Sequence, residues 1–220
     1  MNWQTFLDKT LDKYDRWIAE GKITNTAKVI PVSQALVSRQ WVVPTEQELL
    51  FLRNSRTFSL ADCRCRTLGN HCDRPREVCL FLNDASERMV AQGKARLVSL
   101  DEATERVMQA NQAGLVPMTL YDPQQNIMSL CHCCPCCCHD LQFLLQRGRR
   151  DLVARSEYIA VQDQDACAGC GLCQERCYFG ARVIQDGELI YDPAACYGCG
   201  LCVSVCPSEA VSLELRRLLP

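Results

Sequence analysis

The sequence has no stretch approaching the roughly 20 apolar residues of a membrane span. Residues 1–22, MNWQTFLDKTLDKYDRWIAEGK, contain no uncharged apolar run of signal-peptide type. A soluble, cytoplasmic protein without membrane insertion is therefore expected. There is no basic excess either. The formal net charge is −2, whereas a nucleic-acid surface needs clustered positive charge to neutralise phosphates, so no nucleic-acid partner is expected. Walker loops, dinucleotide fingerprints and nucleophile elbows are missing, and no catalytic residue can be assigned from such motifs. Cysteine, by contrast, is abundant, at 18 of 220 residues. Disulfides are rare in the cytoplasm, so this density points to metal ligation.

The cysteines fall into three blocks. The first is Cys63, Cys65, Cys72 and Cys79. The second, within CHCCPCCCHD, is Cys131, Cys133, Cys134, Cys136, Cys137 and Cys138. The third runs from Cys167 to Cys206 and repeats itself: CAGCGLCQERCYFGA is answered by CYGCGLCVSVCPSEA 29 residues later, each spaced C-x2-C-x2-C-x3-C. Thiolates two residues apart let a tight loop wrap a cubane. Gly169, Gly171, Gly198 and Gly200 suit that loop because glycine accepts positive φ and close backbone approach. Zinc sites also use C-x2-C pairs, but eight cysteines in two identical runs without paired histidines fit them poorly.

On these motifs, residues from about 158 to 215 resemble a bacterial-type ferredoxin domain with two [4Fe-4S] clusters. The resemblance implies that Cys167, Cys170, Cys173 and Cys206 hold one cluster, while Cys196, Cys199, Cys202 and Cys177 hold the other, the fourth cysteine of each run crossing over. It also implies that YIAVQD and AVSLEL pair as outer strands and that RVIQDGELIYD forms a central hairpin turning at Asp186-Gly187. One position departs from the family pattern. Pro207 follows Cys206 as expected, but Tyr178 follows Cys177.

Upstream, Trp3, Phe6, Leu7, Leu11, Tyr14 and Ile18 recur at helical spacing and predict an amphipathic helix that packs on the domain or on a partner. Its mixed Asp and Lys face is a poor match to a lipid surface. Thr45 and Glu48 form a capping box for a helix reaching about Arg53. TFSLADCRC reads as a strand entering the first thiols. PREVCLFLNDASERMVAQG reads as a helix with Pro75 in its first turn. Ser99 caps another helix that stops at Gly114. LVPMTLYD and NIMSLCH alternate like a hairpin around PQQN, and HDLQFLLQ resumes as helix. Helices followed by a hairpin could be a winged-helix module, but Asp101, Glu102 and Glu105 on the third helix would repel phosphate. The fold class expected is α+β: a helical or mixed cysteine-rich N-terminal domain followed by a ferredoxin-like domain. The boundaries expected are an extension over 1–40, a cysteine-rich metal-binding domain over 41–150 and the ferredoxin domain over 151–220.

Residues 40–140 are similar, less specifically, to amino-terminal domains of multi-cluster 4Fe-4S proteins of anaerobes, which implies redox context without a substrate. Their ten cysteines are expected to ligate further iron–sulfur material, as two cubanes or one larger cluster, with zinc as the alternative. In an extended chain Cys134, Cys136 and Cys138 would face one way and Cys131, Cys133 and Cys137 the other. His71, His132 and His139 adjoin cysteines and are either imidazole ligands or ordinary loop and helix-start residues. Arg147, Arg149, Arg150 and Arg155 form the one basic run, a solvated linker or a contact for an acidic partner. The function expected is a low-potential one-electron carrier, or an electron-transfer subunit of an oxidoreductase in anaerobic metabolism, working with a redox protein partner. The alternatives are a redox enzyme or cluster-based sensor fed by the ferredoxin domain, and a metal-storage or assembly protein.

Overall fold

The computed structural model describes residues 2–23, 26–29, 44–122 and 126–216. Helix α1 spans Trp3–Ala19, and Asn2 caps it by accepting from the Thr5 N–H at 2.8 Å. β1 (Ala27–Val29), α2 (Pro44–Arg53), β2 (Phe58–Asp62) and α3 (Arg64–Gly69) follow. The Thr45 side chain, half of the expected capping box, lies outside the described residues. Then come β3 (Glu77–Leu82), α4 (Asn83–Ala91), β4 (Arg96–Leu97) and α5 (Leu100–Gln112). Ser99 caps α5 through the Glu102 N–H. β5 (Val116–Tyr121) and β6 (Ile127–Cys133) form the expected hairpin, and α6 (His139–Arg147) and β7 (Val153–Ala154) complete this half.

The fold is α+β, as the sequence implies. Its upstream half is built on a sheet whose order among the described residues is β4-β2-β3-β6-β5-β1-β7. Every pairing is antiparallel except β1 with β7. β1 and β7 thus join this sheet from either side of the segment 41–150. One expected element is overturned. Residues 77–82, EVCLFL, form a strand and not the first half of a helix, and the helix begins only at Asn83, whose φ of 50° turns the chain out of the sheet. A short, continuously apolar run carries no period to separate strand from helix. Here both its neighbours in the sheet and the cover on both faces favour the strand.

Strand alternation decides which residues meet. Leu130 of β6 packs with Leu52 of α2 and Val107 of α5, whereas Cys131 and Cys133 join Leu7 and Tyr14 of α1 and Leu141 and Phe143 of α6. α1 therefore packs on its own domain. Arg149 donates to Asp15 of α1 at 2.6 Å and to Asp151 at 2.7 Å, and Arg147 reaches Asp8 at 3.3 Å. Arg155 lies over the Tyr197 ring. Three of the four arginines in the basic run thus already have partners within the chain. Reversing one of them, Arg149→Glu, would set three carboxylates together and cost about 1 kcal/mol. Thermal unfolding should show a midpoint lowered by about 2–4 °C.

Downstream, β8 (Tyr158–Gln162) pairs antiparallel with β11 (Val211–Leu215), and β9 (Arg182–Gln185) with β10 (Glu188–Tyr191). Asp186 and Gly187 turn that second pair with φ of 53° and 84°, the double positive φ that a two-residue hairpin requires. A short helix, α7 (Leu172–Glu175), follows the first thiol loop. The two halves share a core, because Tyr197, Cys199 and Leu201 are buried in the same apolar cluster as Leu141 and Phe143. Tyr178, at the position where the family pattern has proline, joins this seam. Its hydroxyl donates to the Gly114 carbonyl at 3.0 Å and its ring carries the Arg74 guanidinium at 5.5 Å.

Candidate metal centres

All 18 cysteines are free thiols, and the structure gathers them into four groups. Cys167, Cys170 and Cys173 close on a small cavity together with Cys206 from the second run. Cys196, Cys199 and Cys202 surround another together with Cys177 from the first run. Each run thus lends its fourth thiol to the other. The loops adopt the positive φ that their glycines permit, 78° at Gly171 and 76° at Gly200. The Gly198 N–H is aimed at Cys196 Sγ at 3.4 Å. Between the two sets lies Arg182, 2% exposed, with electrostatic contact to Cys173 and Cys202 and a buried Nη2 that has no hydrogen-bond partner. A buried guanidinium with an unused donor fits two anionic centres.

Residues 166–211 match the family model described as a 4Fe-4S dicluster domain. No curated protein matches the chain. Four thiols around each cavity are the ligand sets that such a dicluster domain needs, and Arg182 adds positive charge beside Cys173 and Cys202. The two sets differ in environment despite equal spacing. Cys170 is exposed, whereas Cys196, Cys199 and Cys202 are buried, Cys199 in the core shared with the upstream half and Cys196 and Cys202 in the core of the downstream half itself. Burial pushes the Cys199 thiol well above its ordinary value and Cys202 up to about 12. Only a cationic centre displaces those protons near neutral pH.

Upstream, the chain leaves the sheet after Cys133 at Pro135, which favours the second position of a turn and has no N–H for the ladder. The Cys137 and Cys138 N–H groups both close back on the Cys134 carbonyl. This turn corrects the extended-chain expectation. Cys134, Cys136 and Cys137 point one way and are joined by Cys72, all four sulfurs lying within 4.8 Å of one another. Cys131, Cys133 and Cys138 point the other way and meet Cys63, Cys65 and Cys79 around a cavity of about 300 Å³, whose wall Cys134 and Cys137 also reach. Cys79 and Cys131 stand 4.0 Å apart. Hydrogen bonds from Cys65 and Cys79 hold the Cys63 thiol far below its ordinary range, while thiol neighbours and burial hold Cys65, Cys79 and Cys133 far above it. Packed thiols of this kind cannot all ionise without a cation among them.

His132 of β6 and His139 of α6 face opposite ways. His132 points away from the sulfurs, with Nδ1 at 2.9 Å from the Val78 carbonyl and Nε2 at 3.4 Å from the buried Glu48. His139 faces the six-thiol cavity, its Nδ1 3.0 Å from Cys65 Sγ and its Nε2 2.9 Å from the Tyr14 hydroxyl. Three functional residues escape the motif reading. Arg66 and Arg182 supply positive charge beside thiols, and Tyr14 closes the cavity from α1. The CRCR stretch, with arginines interleaved among cysteines, is the one available signal for Arg66.

Proposed function

We propose that the protein is a low-potential, one-electron iron–sulfur carrier or electron-transfer subunit, with two [4Fe-4S] clusters in a domain over 151–220 and further metal in a cysteine-rich domain over 41–150. The observation that carries this reading is the unequal burial of the two dicluster thiol sets. Clusters held there would take up and release single electrons. The residues of the outer set, Cys167, Cys170, Cys173 and Cys206, offer a face to a redox protein partner, and Leu172, Val183, Ile184 and Ile190 stand exposed on the neighbouring helix and hairpin. In the inner set Cys196, Cys199 and Cys202 are buried, and Cys199 lies in the core shared with the half that contains the large cavity. Cys63, Cys65, Cys79, Cys131, Cys133 and Cys138 hold further iron–sulfur material there, and Cys72, Cys134, Cys136 and Cys137 hold a further metal.

Anaerobic purification with iron and sulfide analysis is expected to give more than the roughly eight irons of two cubanes. Stepwise reduction followed by electron paramagnetic resonance should show one-electron signals at low potential. Iron at or below eight, or signals absent down to the potential of dithionite, would count against the reading.

The second reading, a redox enzyme or sensor, is favoured by the composition of the large cavity. Its wall exceeds the four thiols of one cubane and adds Lys13, Tyr14, Arg64 and His139. Cyanide added to the reduced protein would alter the upstream resonance signal if an iron there lacks a protein ligand. An unaltered signal leaves the carrier.

A further inference from the structure

We propose that Cys72, Cys134, Cys136 and Cys137 hold a single tetrahedral zinc ion that shapes the turn after β6, beside the large cavity whose wall Cys134 and Cys137 also reach. The reading of the protein as an electron carrier does not depend on this ion.

The four-thiol set has the spacing of a single-ion site. Zinc–thiolate bonds of about 2.3 Å in a tetrahedron place the sulfurs roughly 3.8 Å apart. Cys72 Sγ stands 3.8 Å from Cys137 Sγ and 3.9 Å from Cys134 Sγ, and no pair in the set exceeds 4.8 Å. In a cubane each cysteine binds a different iron, with the inorganic core between them, so the ligands of one cluster stand further apart than those of one ion. The four-thiol set leaves no room for that core.

The surroundings are those of a thiolate-bound ion. Arg66 of α3 is fully buried, and its Nε points at Cys134 Sγ at 3.5 Å. Its other nitrogens donate to the carbonyls of Pro75 and His132. No carboxylate pairs with it among the described residues, and the thiols that face it are Cys134 together with Cys63 and Cys133 of the large cavity, so its charge serves both sets. A zinc with four thiolates carries a formal charge of −2, and a buried guanidinium beside it offsets part of that charge. The backbone N–H of His71 is directed at Cys137 and that of Arg74 at Cys72, the donors by which a loop holds thiolate ligands in place. Cys72 and Cys136 are half-buried. Zinc has no redox chemistry, and a closed four-thiolate shell suits it to a structural role at a partly exposed site. The ion would clip the α3–β3 loop to the β6–α6 turn, and so fix which way Cys131, Cys133 and Cys138 point.

The test uses the full chain, produced in medium containing both iron and zinc and purified without oxygen. One zinc per chain is expected, with an X-ray absorption edge showing four sulfurs at about 2.3 Å. Cys136→Ser should lose at least nine-tenths of the zinc and keep its iron and sulfide, whereas Cys131→Ser should lose iron and keep zinc. A wild-type chain without zinc, a zinc shell containing nitrogen or oxygen, or a Mössbauer signal of a lone tetrahedral iron would overturn the proposal. The wild-type measurements decide the matter even where a variant fails to fold.

Discussion

A Cys177→Ser chain is expected to lose the cluster of Cys196, Cys199 and Cys202 and to retain that of Cys167, Cys170 and Cys173, although Cys177 belongs to the first run. The reason lies in the placement of the thiol. Cys177 lines the cavity of the second run, and the first run's cavity is completed by Cys206. A serine hydroxyl is a much poorer iron ligand than a thiolate at neutral pH. Iron and sulfide in the dicluster domain should fall by about half, the share of one of two cubanes. The reduced resonance spectrum should then match that of Cys199→Ser and differ from that of Cys170→Ser. The opposite match would mean that each run keeps its own fourth ligand.

The second large effect concerns two glycines at equivalent places in the repeat. Gly169 and Gly198 each follow the first cysteine of their run by two residues, and both have positive φ, 64° and 72°. A Cβ at Gly169 would meet nothing within 4 Å, but at Gly198 it would stand 2.1 Å from the Tyr158 carbonyl oxygen and 2.8 Å from its carbon. Gly169→Ala therefore carries only the conformational penalty, about 1–2 kcal/mol. Gly198→Ala adds overpacking against backbone of β8 that has no rotamer to relieve it, for a total of about 2–5 kcal/mol. Thermal unfolding should place Gly198→Ala well below Gly169→Ala, and iron should be lost from the inner set first. Equal midpoints would show that β8 gives way at no cost.

These glycines also show where sequence stops informing. The repeat makes the two loops alike, and the ferredoxin resemblance it carries implies the pairing of Tyr158–Gln162 with Val211–Leu215 and the turn at Asp186-Gly187, both of which the structure has. What separates the loops is the neighbour each one packs on, and no local pattern encodes that. Tyr178 is the same lesson from the other side. It departs from the family pattern, and the partner it bonds to, Gly114, is 64 positions away. The cysteine-rich run was legible as metal-binding, but its division was not. One turn at Pro135 exchanges the places of Cys137 and Cys138, and alternation along an extended chain cannot foresee a turn. Residues 77–82 went astray for want of a period, since a strand covered on both faces alternates nothing.

The wall of the large cavity draws on residues as far apart as Phe6 of α1 and Asp140 of α6. Its six thiols therefore converge only after some two-thirds of the chain has been synthesised and the hairpin of β5 and β6 has formed. Until then residues 131–138 are six thiols in eight positions on an unfolded segment, open to any soft cation that arrives. α1, the first helix to be made, closes over the cavity through Tyr14 and His139 and is drawn down by Arg147 and Arg149 at the far end of α6. The order of translation and the order of docking are thus reversed.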